Sequence, residues 1–352
     1  MEKKLKSYLP IIVNKSPIRK LAIIPFEKSP DTIYRGFELQ FIVGEPYGEG
    51  YRVLAYRNDK CVDVYDDVKL NFLENEKFNV VENGLHKHVQ TQISNVQLCK
   101  VDNNQIISFE IVDIQGRKIS VHIEEKSKRK SKGMNLLAPI GVGSKNPEYL
   151  PIFFMYDFDF IRKSKSVISC NIDGKEIKID TFPMPMNGQA RLYARYSNEC
   201  ELLEFANACM SELQEVELNE DNTYYDGDVK YCFDDKAVLT KVMVCIENQS
   251  VKICFDVGLS LDKSCVGEFT IRPREQMGYV KGEYSVQCGN DATIFKMVPQ
   301  GGWVSKPNSF LMRLILNKKS VFCSWSKKYR YDALIHLNAR KIEAYWENGN
   351  LK

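Results

Sequence analysis

Ile107-Ser108-Phe109-Glu110-Ile111, a turn at Gln115-Gly116, and Ile119-Ser120-Val121-His122-Ile123 form the stretch that decides the fold. Apolar and polar residues alternate on both sides of the turn. Successive side chains of a strand point to opposite faces, so each run buries one face and wets the other. The same device recurs at Ile168-Cys170-Ile172, Asp173-Gly174 and Ile177-Ile179, with the dipeptide that best favours a two-residue hairpin. It recurs again at Val242-Val244-Ile246, Asn248-Gln249 and Val251-Ile253-Phe255-Val257. The chain is therefore expected to be mainly antiparallel β with little helix, in barrels or sandwiches.

Working outward, further strands are expected at 37–43, 51–57, 61–65, 85–93 and 105–112. In the second half they are expected at 229–233, 238–246, 251–259, 267–271, 282–288, 293–298, 310–316, 321–325 and 333–337. Residues 1 to about 35 read as an irregular lead-in punctuated by Pro and Lys, and 134–150 as a long loop. Glu201–Ala208 fits a short helix or a strand, and the acidic run 215–228 reads as an exposed connection. With 352 residues there is room for two cores. The expected division is 1–205 and 206–352. A faint echo links Val266-Gly267-Glu268-Phe269 to Lys281-Gly282-Glu283-Tyr284, fifteen residues apart.

Composition bounds the function. A net charge of +3 gives no general reason to expect nucleic acid or an anionic membrane as partner. No stretch approaches the roughly 20 apolar residues of a membrane helix. Leu9–Val13 is too short for a signal-peptide core, and the chain reads as cytoplasmic. Eleven cysteines, an odd number without a C-x-x-C pair, read as reduced thiols. Neither phosphate-binding loop, G-x-G-x-x-G nor G-x-S-x-G occurs, so no cofactor is implied.

Among candidate sites, Phe153–Phe160 stands first. On a regular strand Phe154, Tyr156, Phe158 and Phe160 share one face, while Asp157 and Asp159 share the other, about 7 Å apart. In an apolar cavity such a pair would hold one raised carboxylic acid, able to protonate an alkene or a leaving hydroxyl. On a wet face it would only be solvated. His86 and His88 alternate onto one strand face, fitting an acid–base pair or a solvated face, and no carboxylate or Cys at metal spacing accompanies them. Arg191, Tyr193 and Arg195 also alternate, a pattern that holds a ligand carboxylate or phosphate or simply rims the surface. The basic run Glu124–Lys132 reads as a solvated hairpin end or an anion-binding patch. Trp303 and Trp325 read as barrel plugs or core residues.

Two successive antiparallel domains, the Asp-bearing aromatic strand Pro151–Phe160 and a late Trp-bearing strand region together resemble a known family. It is the two-domain, lipocalin-like β-barrel proteins that include hydroxyneurosporene-synthase-like carotenoid hydratases and related cyclases. The resemblance implies lipocalin-like barrels that hold a hydrophobic small molecule. It also implies cofactor-independent hydration, dehydration, isomerisation or cyclisation driven by an acidic residue. Asp157 or Asp159 would be the acid, His86 and His88 would assist, and Tyr156, Tyr193, Arg195, Phe154 and Trp303 would contact substrate. The His-x-aromatic pattern expected beside the acid is replaced by His86-Lys87-His88. Two other functions fit the same pattern: a non-catalytic carrier of a lipid or hydrophobic metabolite, and a protein-interaction module using strand edges.

Overall fold

A computed structural model describes residues 5–28, 30–73, 83–102, 104–126, 133–138, 140, 145–183, 185–186, 188–246, 249–273, 278–300, 304–305, 318 and 329–349. Strand dominates them, in curled antiparallel sheets. The hairpin at 107–123 forms in the expected register, with Ile111 opposite Ile119, Phe109 opposite Val121 and Ile107 opposite Ile123. All six side chains are buried. The Asp113 carboxylate clamps the turn by accepting from the Gln115 and Arg117 backbone N–H groups and from Arg117 Nε. In the next hairpin Asp173 and Gly174 both take positive φ, as a two-residue turn of this hand requires.

The chain divides into two compact units. One comprises 17–136 and 155–201; the other comprises 1–16, 137–154 and 202–352. The last switch, at 201/202, lies near the expected division at 205/206. Two earlier segments also belong with the C-terminal half.

The unit built on 17–136 is a sandwich. Its first sheet runs Arg191–Ser197, Ile18–Pro25, Tyr34–Gly44, Gly48–Arg57, Cys61–Asp67 and Gly84–Thr91, antiparallel except for a parallel last pair. Its second sheet has five strands, with Asn104–Val112 and Lys118–Glu125 at its centre. One shared core joins them: Ala22, Phe37, Leu39 and Val53 meet Ile107, Phe109 and Val121. The Phe37 and Phe109 rings meet edge to face at 5.8 Å.

The unit built on 202–352 is an up-and-down meander. From Thr223–Asp226 through Thr293–Pro299 each described strand pairs with its predecessor. Tyr329–His336 then pairs with Thr293–Pro299 and Lys341–Asn348 with Tyr329–His336, while Val304–Ser305 pairs with Gly278–Cys288 and Cys209–Glu212 lies at the far edge. Alternation is strict: Tyr329, Tyr331, Ala333 and Ile335 are buried, as are Ile342, Ala344 and Trp346. The sequence echo is explained here. Gly267 lies opposite Tyr284, and Phe269 opposite Gly282. A Cβ on Gly282 would sit 2.4 Å from the Phe269 ring, and one on Gly267 would sit 2.6 Å from Tyr284 Oη. Each aromatic ring thus lies flat over the glycine of the neighbouring strand, a reciprocal cross-strand lock.

Several expectations are corrected. The lead-in contains Ile18–Pro25, which pairs with strands on both sides because its backbone is extended despite flanking prolines. Met134–Ala138, the start of the expected loop, is a strand. Of the two readings open for Glu201–Ala208, the strand is found, as part of Glu199–Phe205. The acidic run contributes Glu215–Glu217, which pairs with Lys6–Tyr8 and buries Val216. The expected strands 310–316 and 321–325, residues 127–132 of the basic run, Trp303 and Trp325 lie outside the described residues.

Candidate active site

The first sheet of the 17–136 unit has its core on one face. Its other face carries polar side chains, as antiparallel alternation dictates, yet these are buried. One row crosses the sheet as Phe160, Arg195, Ile23, Glu38, Leu54, Val64 and His88. The adjacent row reads Leu21, Gln40, Arg52, Asp66 and Gln90. Glu38 is 8% exposed, Gln40 6%, Arg52 5% and Asp66 0%. Such burial of groups with formal charge is costly unless they are paired, and it concentrates at functional sites.

Two carboxyl groups on this face are driven apart. Tyr56 Oη donates to Glu38 Oε2 at 2.6 Å, and Gln40 Nε2 donates to Oε1 at 2.6 Å. Burial nonetheless dominates and raises Glu38 above the ordinary carboxylate value, against these hydrogen bonds and Arg195. The Tyr56 phenol is raised too, by burial and by Glu38, so it remains a donor. Burial also opposes ionisation of Asp66, but His88 and Arg52 prevail and hold it below the ordinary value. Arg52 reaches it twice, Nε to Oδ1 at 2.6 Å and Nη2 to Oδ2 at 3.0 Å. His88 Nε2 lies 2.9 Å from Oδ2. A raised carboxyl group and a lowered one thus share one face, Glu38 and Asp66 lying two strands apart, about 10 Å by strand spacing, with His88 one strand beyond Asp66. Environments that separate two carboxyls in this way assign acid and base.

Aromatic rings flank the acid's row. Phe160 and Phe182 lie 4.6 Å apart, Phe182 and Tyr193 5.4 Å, and Phe160 and Tyr193 6.0 Å. The Arg195 guanidinium sits 5.5 Å from the Tyr193 ring centre. Of the residues singled out from sequence, Phe160, Tyr193, Arg195 and His88 fall here.

The other singled-out residues lie elsewhere. Asp157 takes positive φ, which breaks the expected alternation, and its carboxylate pairs with Lys100. Asp159 is buried, accepts from the Phe160 backbone N–H at 2.8 Å and faces Arg191 Nη1 at 3.5 Å. The two carboxylates therefore do not form a pair on one face. Arg191 is buried and donates to the Phe160 carbonyl at 2.7 Å, so it is not a surface cation. Tyr156 is buried and donates to Glu201 at 2.6 Å, and Phe154 is a core residue.

His86 and His88 do not share a partner. A register shift at their strand sends His86 Nδ1 to Asp63, 2.6 Å away, and His88 to Asp66. Asp63 belongs to a separate buried network with Tyr34, which in turn contacts Tyr65 at 3.0 Å, and with Arg57.

Two cavities stand out among the described residues. One of about 540 Å³, in the 202–352 unit, is lined by Leu9, Ile11, Cys209, Leu213, Tyr331 and Ile342 among others. One of about 450 Å³, in the 17–136 unit, lies by Tyr65, Lys87, Val89 and Val112. Neither is lined by Glu38, Asp157 or Asp159. Among the described residues no group of three His, Cys, Asp or Glu could hold a metal ion, and no helix is long and apolar enough to cross a membrane.

Sequence reasoning missed Glu38, Gln40, Arg52, Tyr56 and Asp66. Phe37-Glu38-Leu39-Gln40-Phe41 alternates like any half-wet strand, and nothing local tells a buried polar face from a solvated one. No family model, no curated protein and no solved structure matches this chain.

Proposed function

We propose that this protein is an enzyme acting on a hydrophobic small molecule, of isoprenoid or polyketide type, by general acid catalysis on a lipocalin-like scaffold. Hydration, dehydration, isomerisation and cyclisation share that first step. The raised, buried Glu38 carboxyl under the Tyr56 phenol carries the reading. It takes the acid role in place of Asp157 and Asp159, whose carboxylates are engaged by cations. The meander of the 202–352 unit supports kinship with lipocalin-like barrels.

In its protonated form Glu38 delivers its proton to an alkene carbon or a leaving hydroxyl. Tyr56 and Gln40 then stabilise the carboxylate left behind by donating to its two oxygens. The carbocation is favoured by the faces of neighbouring aromatic rings. In hydration, water adds to the cation and loses its proton to His88, whose imidazolium Asp66 stabilises. In isomerisation His88 removes a carbon-bound proton instead.

Mass spectrometry of organic extracts from folded protein, set against a heat-denatured blank, names the substrate. Turnover is then compared between the wild type and Glu38→Gln. The expected loss is at least about 100-fold, the usual span of a general acid, with Asp157→Asn near wild type. Unchanged turnover in Glu38→Gln overturns the reading. The 540 Å³ cavity favours a second reading, a carrier without chemistry. A carrier would yield the same unconverted ligand from wild type and Glu38→Gln.

A further inference from the structure

Arg195 is held in an unusual setting. It is half-buried, stands beside Ile23 in the register of the sheet, and leans on the Tyr193 ring. Its one hydrogen bond among the described residues runs from Nη1 to the Tyr193 carbonyl at 3.3 Å. No described carboxylate lies in ion-pair contact with it, in contrast to Arg52, Arg57, Arg117 and Arg162, each of which has an Asp or Glu. Glu38 is the carboxyl on its row, and burial keeps that group protonated to higher pH than usual. A guanidinium is always charged and presents a fork of donors suited to a carboxylate. A guanidinium with no carboxylate in contact, in a poorly solvated place, is well set to hold an incoming anion.

The surroundings specify what the anion is attached to. Phe160, Phe182 and Tyr193 form a ring cluster with one open side: Tyr193 is 37% exposed, while Phe160 and Phe182 are half-buried. Flat unsaturated groups stack on such rings more favourably than saturated chains fill them.

We infer that Arg195 and the Phe160–Phe182–Tyr193 cluster form a subsite for the carboxylate end of an unsaturated, apolar acid, the guanidinium taking the carboxylate and the rings the adjoining double bonds. The inference rests on the Glu38 reading only for what happens to the ligand after it binds. It narrows the substrate class from hydrophobic molecules in general to those that end in a carboxylate.

The test uses cis-parinaric acid, a tetraene whose fluorescence rises on binding, and its methyl ester, which has the same polyene and no charge. The full chain should bind the acid at least tenfold more tightly than the ester. Arg195→Met should bring that ratio to about one with the ester affinity unchanged, and Arg195→Lys should restore part of it. Tyr193→Ala should weaken acid and ester alike. Equal affinity of the wild type for acid and ester overturns the inference, as does an acid-to-ester ratio that survives Arg195→Met in folded protein. Glu38→Gln separates the two proposals. It should abolish turnover and leave the ratio intact, so a failed subsite and a failed acid give different results.

Discussion

Two sheets in this molecule obey the same alternation and use it differently. In the meander of the 202–352 unit, the face turned away from the core is solvated: Lys252, Glu268, Arg272, Glu283 and Glu343 are all exposed. In the first sheet of the 17–136 unit, the corresponding face carries Glu38, Gln40, Arg52 and Asp66, and all four are buried. Polar residues on a strand face therefore report only that the face is not the main core. Whether water reaches them decides their chemistry. A solvated Glu is an ordinary anion. Burial raises a carboxyl group unless cations on it prevail, and Glu38 and Asp66 show both directions within one face.

The sharpest break of this comparison is Arg52→Met. It strands the fully buried Asp66 carboxylate with His88 alone and should cost about 3–5 kcal/mol, the penalty of an uncompensated buried charge. Lys252→Met, on the solvated face, should stay within about 0.5 kcal/mol. Urea denaturation of the two variants reads the difference directly, and equal costs would mean the two faces are not physically distinct.

Packing supplies the next contrast. Gly282→Ala drives a Cβ into the Phe269 ring and should cost about 1–3 kcal/mol by overpacking. Gly174→Ala meets nothing within 4 Å, and only its left-handed backbone is strained, at φ +78°. About 1 kcal/mol is expected there. Thermal melts of both separate the cross-strand lock from simple turn strain.

Acidity gives a third test. Unfolded Glu38 titrates near the ordinary 4.5, and folded Glu38 above it. Between those values the folded chain holds a proton that the unfolded chain has lost. Its contribution to stability is therefore complete below pH 4.5 and declines as pH rises through the folded value. Urea midpoints taken from pH 4 to 8 should show this decline in the wild type, and Glu38→Gln should flatten it. A wild-type curve that rises through the same window because of Glu38 would reverse the assignment. The smallest effect belongs to the surface. Lys6 lies 3.7 Å from Glu217 with both side chains more than half exposed, and Lys6→Met should cost under about 1 kcal/mol, less still at high salt.

Much of the fold was legible because its signals are local. Period-two alternation in Ile107–Ile111 and Ile119–Ile123, with Asp113 to Gly116 between, specifies a hairpin wherever it occurs. The echo of Gly-Glu-aromatic was visible as well, and its meaning emerged once Gly267 faced Tyr284 and Phe269 faced Gly282. Of the site, Tyr193 and Arg195 were legible as an alternating pair able to grip an anion. Asp157 misled, because regular alternation was assumed through a residue whose positive φ turns the strand. A register shift likewise gave His86 and His88 each its own Asp, and only His88 entered the row of Glu38.

By itself, then, the sequence determined an all-β chain with named hairpins, a buried set on each strand and a stock of aromatic and ionisable side chains. Those follow from side-chain direction along an extended backbone, a property of neighbours in the chain. Tertiary structure alone decided that Glu38, Tyr56, Arg52, Asp66 and His88 share one face and that water is kept from it. Strand order sets the first of these and packing the second. Both join residues tens of positions apart, and no local pattern encodes the dielectric in which a carboxyl group must titrate.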